Sequence, residues 1–109
     1  VESSEGAANF EKILRTPGIT AVFLGPVDLS VAMGLKGNVN APEVRSALLT
    51  MVEQANRAGI PVGALGLDPA FVRELFSRGL NFLAYGIDTI LMYQKCCEIQ
   101  QAVFGRSAQ

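Results

Sequence analysis

Four acidic residues could share one edge of a sheet, because each lies shortly after a short apolar run. They are Glu2, Asp28, Asp68 and Asp88. In parallel α/β folds the active groups collect just beyond the C-terminal ends of the strands. No basic residue accompanies the acids at that predicted edge, so neighbouring carboxylates would repel each other unless a cation lay between them. The pattern indicates a site for a hard divalent cation such as Mg²⁺ or Mn²⁺, which prefers oxygen ligands.

Glu2 and Asp28 form the pair we favour as metal ligands. Asp28 follows Gly25 and Pro26, and a glycine at that point allows the backbone to approach a ligand closely. The N–H groups of Val27 and Asp28 could then hold an anionic oxygen, whereas Pro26 supplies rigidity and no donor. From spacing alone Asp28 could equally be a helix cap, and Glu2 would not stand out.

Asp68 and Asp88 have a simpler structural explanation. Each stands directly before a helical pattern, at Asp68-Pro69 and Asp88-Thr89. Aspartate is a favoured N-cap because its side chain accepts hydrogen bonds from the first free N–H groups of a helix. We therefore expect both residues to cap helices.

The elements that must position these acids alternate along the chain as helix, strand, helix, strand, helix, strand and helix. This order predicts right-handed crossover units around a parallel sheet. The three predicted strands are the apolar runs 19–24, 60–65 and 81–85, and Val1-Glu2 would be the stub of a further strand. Residues 27–40 are predicted to form a loop with one helical turn.

The last predicted helix carries a stripe of apolar residues at helical spacing, namely Met92, Cys96, Ile99 and Val103. Core packing is the simplest role for the stripe and for Cys96. Together with Tyr93 and Cys97 the stripe is also wide enough to be an interface. Adjacent cysteines make a poor structural disulfide, so both thiols are expected to be reduced.

Composition narrows the class of protein. The 109 residues are 50% hydrophobic with a net charge of −1, which predicts one globular segment over residues 1–109 and no second domain. That charge balance gives no footprint for nucleic acid or an anionic membrane, and the apolar runs are too short to span a bilayer. We expect a cytoplasmic location. No histidine occurs, which excludes a Ser-His-Asp triad or a histidine-based zinc site within this chain.

Three strands and a stub are only part of a closed barrel, since eight βα units take about 250 residues. We therefore expect the chain to be part of a longer enzyme. A small open α/β sheet is the alternative, although the sequence has no G-x-G-x-x-G or Walker-type loop to bind a nucleotide.

Longer blocks of the sequence resemble the HpcH/HpaI aldolase family over nearly the whole chain. The blocks are VESSEG (1–6), PGI (17–19), VFLGPVDLS (22–30), MG (33–34), PEV (42–44), AG (58–59), Gly63, Leu65, Gly79 and FLAYGIDT (82–89). The resemblance implies the C-terminal portion, about the last three to four βα units, of a (β/α)8 TIM barrel with parallel strands.

The resemblance also implies a function. Members are class II aldolases that cleave a 4-hydroxy-2-oxo acid, such as a 2-keto-3-deoxy sugar acid, to pyruvate and an aldehyde through a metal-stabilised enolate. By this similarity Glu2 and Asp28 hold Mg²⁺, Mn²⁺ or Co²⁺, the backbone of Gly25-Pro26-Val27 holds the 2-oxo-acid carboxylate, and Leu65 lines the aldehyde pocket. The implied partners are these small molecules and further copies of the chain in a homo-oligomer.

The sequence also departs from the family pattern. The family's arginine and catalytic histidine lie on earlier strands, so no catalytic residue is assigned here and both are expected upstream. Ala41 replaces a histidine commonly found before the Pro-Glu-Val block. Two other hypotheses remain: a citrate-lyase-type CoA lyase on a related barrel, and a truncated, non-catalytic barrel piece that binds metal or a partner without turnover.

Overall fold

The computed structural model describes residues 1–105, in which a three-stranded parallel sheet carries helices on one face. The strands, in both chain order and sheet order, are β1 (Val22–Leu24), β2 (Val62–Gly66) and β3 (Phe82–Tyr85). The helices are α1 (Ser4–Ala8), α2 (Phe10–Leu14), α3 (Pro26–Ala32), α4 (Pro42–Ala58), α5 (Pro69–Ser77) and α6 (Asp88–Phe104). The predicted alternation of helices and parallel strands is confirmed.

The hydrophobic core lies between the sheet and the helices α2, α4 and α5. Helical spacing in the sequence predicts one buried stripe on α4, and its five members are all buried: Val44, Leu48, Met51, Val52 and Ala55. Gly59 ends α4 with φ 72°, the left-handed conformation that glycine adopts without penalty. On α5 the same spacing predicts that Phe71, Val72, Leu75 and Phe76 face inward. Phe71 and Leu75 are buried, whereas Phe76 is exposed.

Two local differences from the sequence-based expectation lie before α4. The first predicted helix is two short helices, because Asn9 takes φ −99° and ψ 12°, and its side-chain amide donates to the Glu5 carbonyl. The predicted loop at residues 27–40 begins with the helix α3. Pro26 suits the first helical position, and the Leu29 N–H donates to the Gly25 carbonyl at 3.0 Å. Burial of the Leu29 side chain holds this short helix on the core.

The C-terminal helix α6 does not pack into the core, so its apolar stripe is uncovered within residues 1–105. None of its residues is buried, Met92 and Val103 are 70% and 64% exposed, and Cys96 is exposed as well. The molecule is correspondingly elongated, with extents of 55 × 27 × 21 Å. The alternative that this stripe is an interface stays a prediction. None of the helices within residues 1–105 has the length and apolarity needed to cross a membrane.

The two predicted helix caps have different outcomes. Asp68 caps α5, accepting hydrogen bonds from the N–H groups of Ala70 at 3.0 Å and Phe71 at 3.3 Å. Asp88 is instead the first residue of α6, and Ile87 occupies the cap position without a side-chain bond. The Ile87 carbonyl already accepts the first helical hydrogen bond, so the helix starts one residue before the position that the sequence pattern indicated.

Two substitutions of Asp68 distinguish its role as a helix cap from its role as a partner in an ion pair. Asp68→Ala should lower the free energy of unfolding of the complete gene product by about 1 kcal/mol, since the N-cap is lost. Asp68→Asn should cost about 0.5 kcal/mol or less, because asparagine caps as well as aspartate and only the half-exposed ion pair with Arg45 is lost. Urea unfolding measures both, and equal losses in the two variants would show that the ion pair, not the cap, stabilises this turn.

Candidate functional site

The segment Val1-Glu2 lies beside β1 as a minimal further strand. The Val1 amino group donates to the Phe23 carbonyl, and the Gly25 N–H donates to the Val1 carbonyl at 3.0 Å. These two bonds follow the parallel-ladder pattern, with Val1 alongside Leu24. Glu2 therefore emerges at the C-terminal edge of the sheet, next to Gly25, as the strand-stub interpretation predicted.

Asp28 lies at the same edge of the sheet, just after the C-terminal end of β1. The chain leaves β1 through Gly25 and enters α3 at Pro26, so Asp28 stands in the first turn of that helix. The buried Ser30 hydroxyl donates to the Val27 carbonyl at 2.7 Å and ties this turn together. The N–H groups of Val27 and Asp28 lie ahead of the first α-helical bond and so have no partner within the helix.

The carboxylates of Glu2 and Asp28 meet at Gly25. A β-carbon placed on Gly25 would lie 3.0 Å from the Glu2 Cβ, 3.0 Å from its Oε2 and 4.0 Å from the Asp28 Oδ2. The Glu2 Oε2 and the Asp28 Oδ2 can therefore be no further apart than 7.0 Å, the sum of their distances from that point. A side chain at position 25 would occupy this space, which explains why a glycine stands there.

The donor set fits a hard divalent cation with open coordination positions. Two exposed carboxylates converge, and neither takes part in any ion pair among residues 1–105. Within the same range no cluster of three or more acidic, cysteine or histidine side chains occurs, so Asp68 and Asp88 do not join the pair. Mg²⁺ commonly uses one or two protein carboxylates and fills its remaining positions with water or substrate oxygens.

Asp68 is held elsewhere by an ion-pair network that the sequence-based reasoning missed. Arg45 on α4 contacts the Asp68 Oδ2 and the Glu74 Oε2, each at 3.4 Å, and its guanidinium lies 4.0 Å from the centre of the Phe71 ring. The network fixes the turn between β2 and α5 against α4. No sequence motif marks it, because Arg45 lies on α4 and its partners lie more than 20 residues away, on α5 and its N-cap.

Leu65 lies on the strand next to the carboxylate pair. Leu24 pairs with Ala64 in the parallel register, so the next residues along the two strands, Gly25 and Leu65, are neighbours. Ala64 is buried against the helices, and alternation along β2 turns Leu65 to the opposite face of the sheet, the one on which Phe23 of β1 is also exposed. Leu65 thus borders the region where the pair converges.

Ser4 is a further residue that positions the site and that the sequence did not reveal. Its hydroxyl donates to the Ala32 carbonyl at 2.9 Å, which joins α1 to the last turn of α3. Ser3 caps α1, since its hydroxyl accepts a hydrogen bond from the Gly6 N–H at 3.0 Å. The segments that carry Glu2 and Asp28 are therefore linked by a side-chain contact as well as by the strand pairing.

Other polar features lie outside this site. A groove of about 550 Å³ runs between α4 and α5, but its charged walls are already paired, as Arg45 with Glu74 and Arg78 with Glu53. On α6 a side-chain hydrogen bond with Cys97 raises the pKa of Tyr93. A hydrogen bond to Glu98 raises the pKa of Lys95 on the same helix. Within residues 1–105, none of these groups forms a hydrogen bond or an ion pair with Glu2 or Asp28.

Comparison with known proteins places this geometry in context. The chain is 38% identical over 99 residues to a hydroxypyruvate/pyruvate aldolase of Pseudomonas aeruginosa, covering 91% of the chain and 37% of that protein. It is 36% identical over 104 residues to a 2-keto-3-deoxy-L-rhamnonate aldolase of Salmonella paratyphi B, covering 95% and 39%. The chain thus spans well under half the length of these relatives.

Solved structures show the same architecture. An HpcH/HpaI aldolase from Desulfitobacterium hafniense matches with a TM-score of 0.84 at 24% identity, covering 94% of this chain and 40% of that one. An HpcH/HpaI aldolase/citrate lyase family protein from Burkholderia cenocepacia matches with a TM-score of 0.83 at 29% identity, with the same coverage. The parallel sheet and its helices are thus a portion of a (β/α)8 barrel, as predicted.

A family model extends the agreement along the sequence. The model for HpcH/HpaI aldolase/citrate lyase matches residues 1–94, a range that includes all three strands, both carboxylates and Leu65. Since this match covers most of the 109 residues, the chain belongs to the HpcH/HpaI aldolase/citrate lyase family.

Proposed function

We propose that the complete gene product carrying this chain is a divalent-metal-dependent aldolase. It cleaves a 4-hydroxy-2-oxo acid, such as a 2-keto-3-deoxy sugar acid, to pyruvate and an aldehyde. The observation that carries the proposal is the convergence of the Glu2 and Asp28 carboxylates around the missing side chain of Gly25. Relatives named as aldolases support the same reaction class.

In this proposal Glu2 and Asp28 hold Mg²⁺ or Mn²⁺, with Co²⁺ as a third candidate. When bound, the cation supplies a Lewis acid beside the oxygens of a 2-oxo acid. The chain's own contribution is to orient that acid. The free N–H groups at the start of α3, from Val27 and Asp28, face the same edge and suit a carboxylate oxygen, while Gly25 and Pro26 keep the approach open and rigid.

This chain supplies some of the remaining parts of the proposed pocket, and the rest of the protein supplies the others. Leu65, beside Gly25, offers an apolar wall for the aldehyde half of the substrate. A general base, worth about 10²–10⁴-fold in rate, has no histidine to draw on within these 109 residues and is assigned to another segment of the protein. The exposed stripe of α6 supports a homo-oligomer, in which that apolar surface would be covered.

A citrate-lyase-type CoA lyase is the second candidate, since the family model covers citrate lyases as well as aldolases. The two reactions differ in substrate, so parallel assays with 4-hydroxy-2-oxo acids and with acyl-CoA thioesters distinguish them. A non-catalytic protein would bind Mn²⁺ without turning over either substrate.

Removing one carboxylate charge should abolish cation binding. Asp28→Asn or Glu2→Gln should weaken Mn²⁺ binding by more than about 100-fold, because loss of mere supporting contacts around a metal already costs about 10–100-fold. Pyruvate release from a 4-hydroxy-2-oxo acid should fall in parallel. Calorimetric Mn²⁺ titration and a coupled pyruvate assay measure the two effects.

Asp68→Asn is the matched control for this experiment, because it makes the same chemical change at a carboxylate that caps α5. It should leave Mn²⁺ affinity unchanged. Full activity and unaltered Mn²⁺ affinity in Asp28→Asn would refute the proposed metal site.

Adding a methyl group at position 25 tests whether cation binding needs the space beside Gly25. The φ of −100° at Gly25 is accessible to alanine, so Gly25→Ala introduces no backbone strain and acts through its contact with Glu2 at 3.0 Å. We expect the displaced carboxylate to weaken Mn²⁺ binding by about 10-fold, equivalent to about 1.4 kcal/mol.

A double-mutant cycle isolates that contact. In a Glu2→Gln background, where the ligand is already lost, Gly25→Ala should cause little further change in Mn²⁺ affinity. Fully additive effects of the two substitutions would show that position 25 acts independently of Glu2.

A further inference from the structure

Two aromatic rings lean over a glycine on the sheet face opposite the helices. In the strand register Phe23 of β1 pairs with Gly63 of β2, and Gly63 pairs with Phe82 of β3. Strands that flank a third strand lie about 9–10 Å apart, yet the two ring centroids are only 5.9 Å apart, with the ring planes at 32°. Both rings therefore lean inward across β2.

Gly63 makes this arrangement possible. A β-carbon at that position would overlap the ring carbons of Phe82, so any other residue would displace the ring. The two rings and the glycine between them form a continuous apolar layer across the three strands, which we call the aromatic layer. Phe23 and Phe82 are each 41% exposed, so the side of the aromatic layer away from the helices is uncovered within residues 1–105.

The aromatic layer lies directly beneath the carboxylate pair. Phe23 and Gly25 are alternate residues of one extended segment, so they face the same side of the sheet, and Glu2 and Asp28 meet at Gly25. Two residues along a strand span about 6–7 Å. The same step on β2 leads from Leu65 to Gly63. A small molecule held at Gly25 and directed along this face therefore reaches the aromatic layer within its own length.

We propose that Phe23 and Phe82, leaning over Gly63, form the floor of the 2-oxo-acid pocket and limit the size of the group on C3 of that acid. The inference rests on the proposed function. Pyruvate carries all of its oxygens on C1 and C2, and these belong at the carboxylate edge. Its C3 methyl is its only apolar group and gains most from contact with the aromatic layer, whose members Phe23, Gly63 and Phe82 carry no polar side-chain atom.

Solvent exchange at C3 tests the floor without knowledge of the aldehyde. In D₂O an enzyme of this class removes a C3 proton from the 2-oxo acid and returns a deuteron from solvent, with no net redox change. Proton NMR follows this exchange for pyruvate and for 2-oxobutanoate, which carries one more methyl group at C3. The complete gene product, saturated with Mg²⁺, is used throughout.

Phe82→Leu should raise the exchange rate of 2-oxobutanoate relative to pyruvate by about 10-fold or more, since one methylene in an apolar pocket is worth about 10–200-fold. Phe23→Leu should shift the same ratio in the same direction and serves if the first variant does not fold. Tyr85→Leu is the matched control. Tyr85 pairs with Gly66, whose neighbours Val72 and Leu83 lie on the helix side of the sheet, so the ratio should stay unchanged.

The outcomes distinguish a failure of the proposed pocket floor from a failure of the proposed aldolase function. Suppose that the wild-type protein exchanges the C3 protons of pyruvate, and that folded Phe82→Leu and Phe23→Leu keep its ratio of 2-oxobutanoate to pyruvate exchange. This result would overturn the proposed floor and leave the aldolase proposal standing. An equal shift of the ratio in Tyr85→Leu would also overturn it, because the effect would then be one of general loosening. Absence of any exchange by the wild-type protein with Mg²⁺ would overturn the aldolase proposal and the floor with it.

Discussion

The arrangement of the site depends on one steric constraint, the absence of a side chain at Gly25. Parallel pairing of Val1 with β1 brings Glu2 to the sheet edge, and the turn into α3 brings Asp28 to the same point. The two carboxylates approach the space that a β-carbon would fill. Like charges repel each other, which is why the proposed function places a cation between these two carboxylates.

The other acids at the same edge show how this protein separates structural carboxylates from the candidate ligands. Asp68 is satisfied by two backbone N–H groups and by Arg45, and Glu74 shares that same guanidinium. Glu2 and Asp28 have no such cationic partner among residues 1–105. In the proposed function this unneutralised pair is the cation site, and the neutralised acids form a stabilising network.

The sheet has two faces of different character. One is packed against α2, α4 and α5 and holds the core, whereas the other carries the half-exposed Phe23 and Phe82 on either side of the buried Gly63. Parallel strands are normally covered on both faces, and in a barrel the second face turns inward, where side chains fill the interior in layers. The open face and the uncovered α6 both agree with a chain that spans about 40% of its solved relatives.

The sequence by itself predicted the order of elements, the stripe of α4, the cap at Asp68 and the proximity of Glu2 and Asp28, whose role as metal ligands stays a prediction. Each of these depends on local spacing or on blocks shared with a family. It predicted less well where the outcome depends on distant partners. The break at Asn9, the exposed side chains of α6, the Arg45 network and the rings leaning over Gly63 all involve contacts, or missing contacts, between separate segments. Only the tertiary structure decides these, because a residue's type and spacing do not specify which surface stands opposite it.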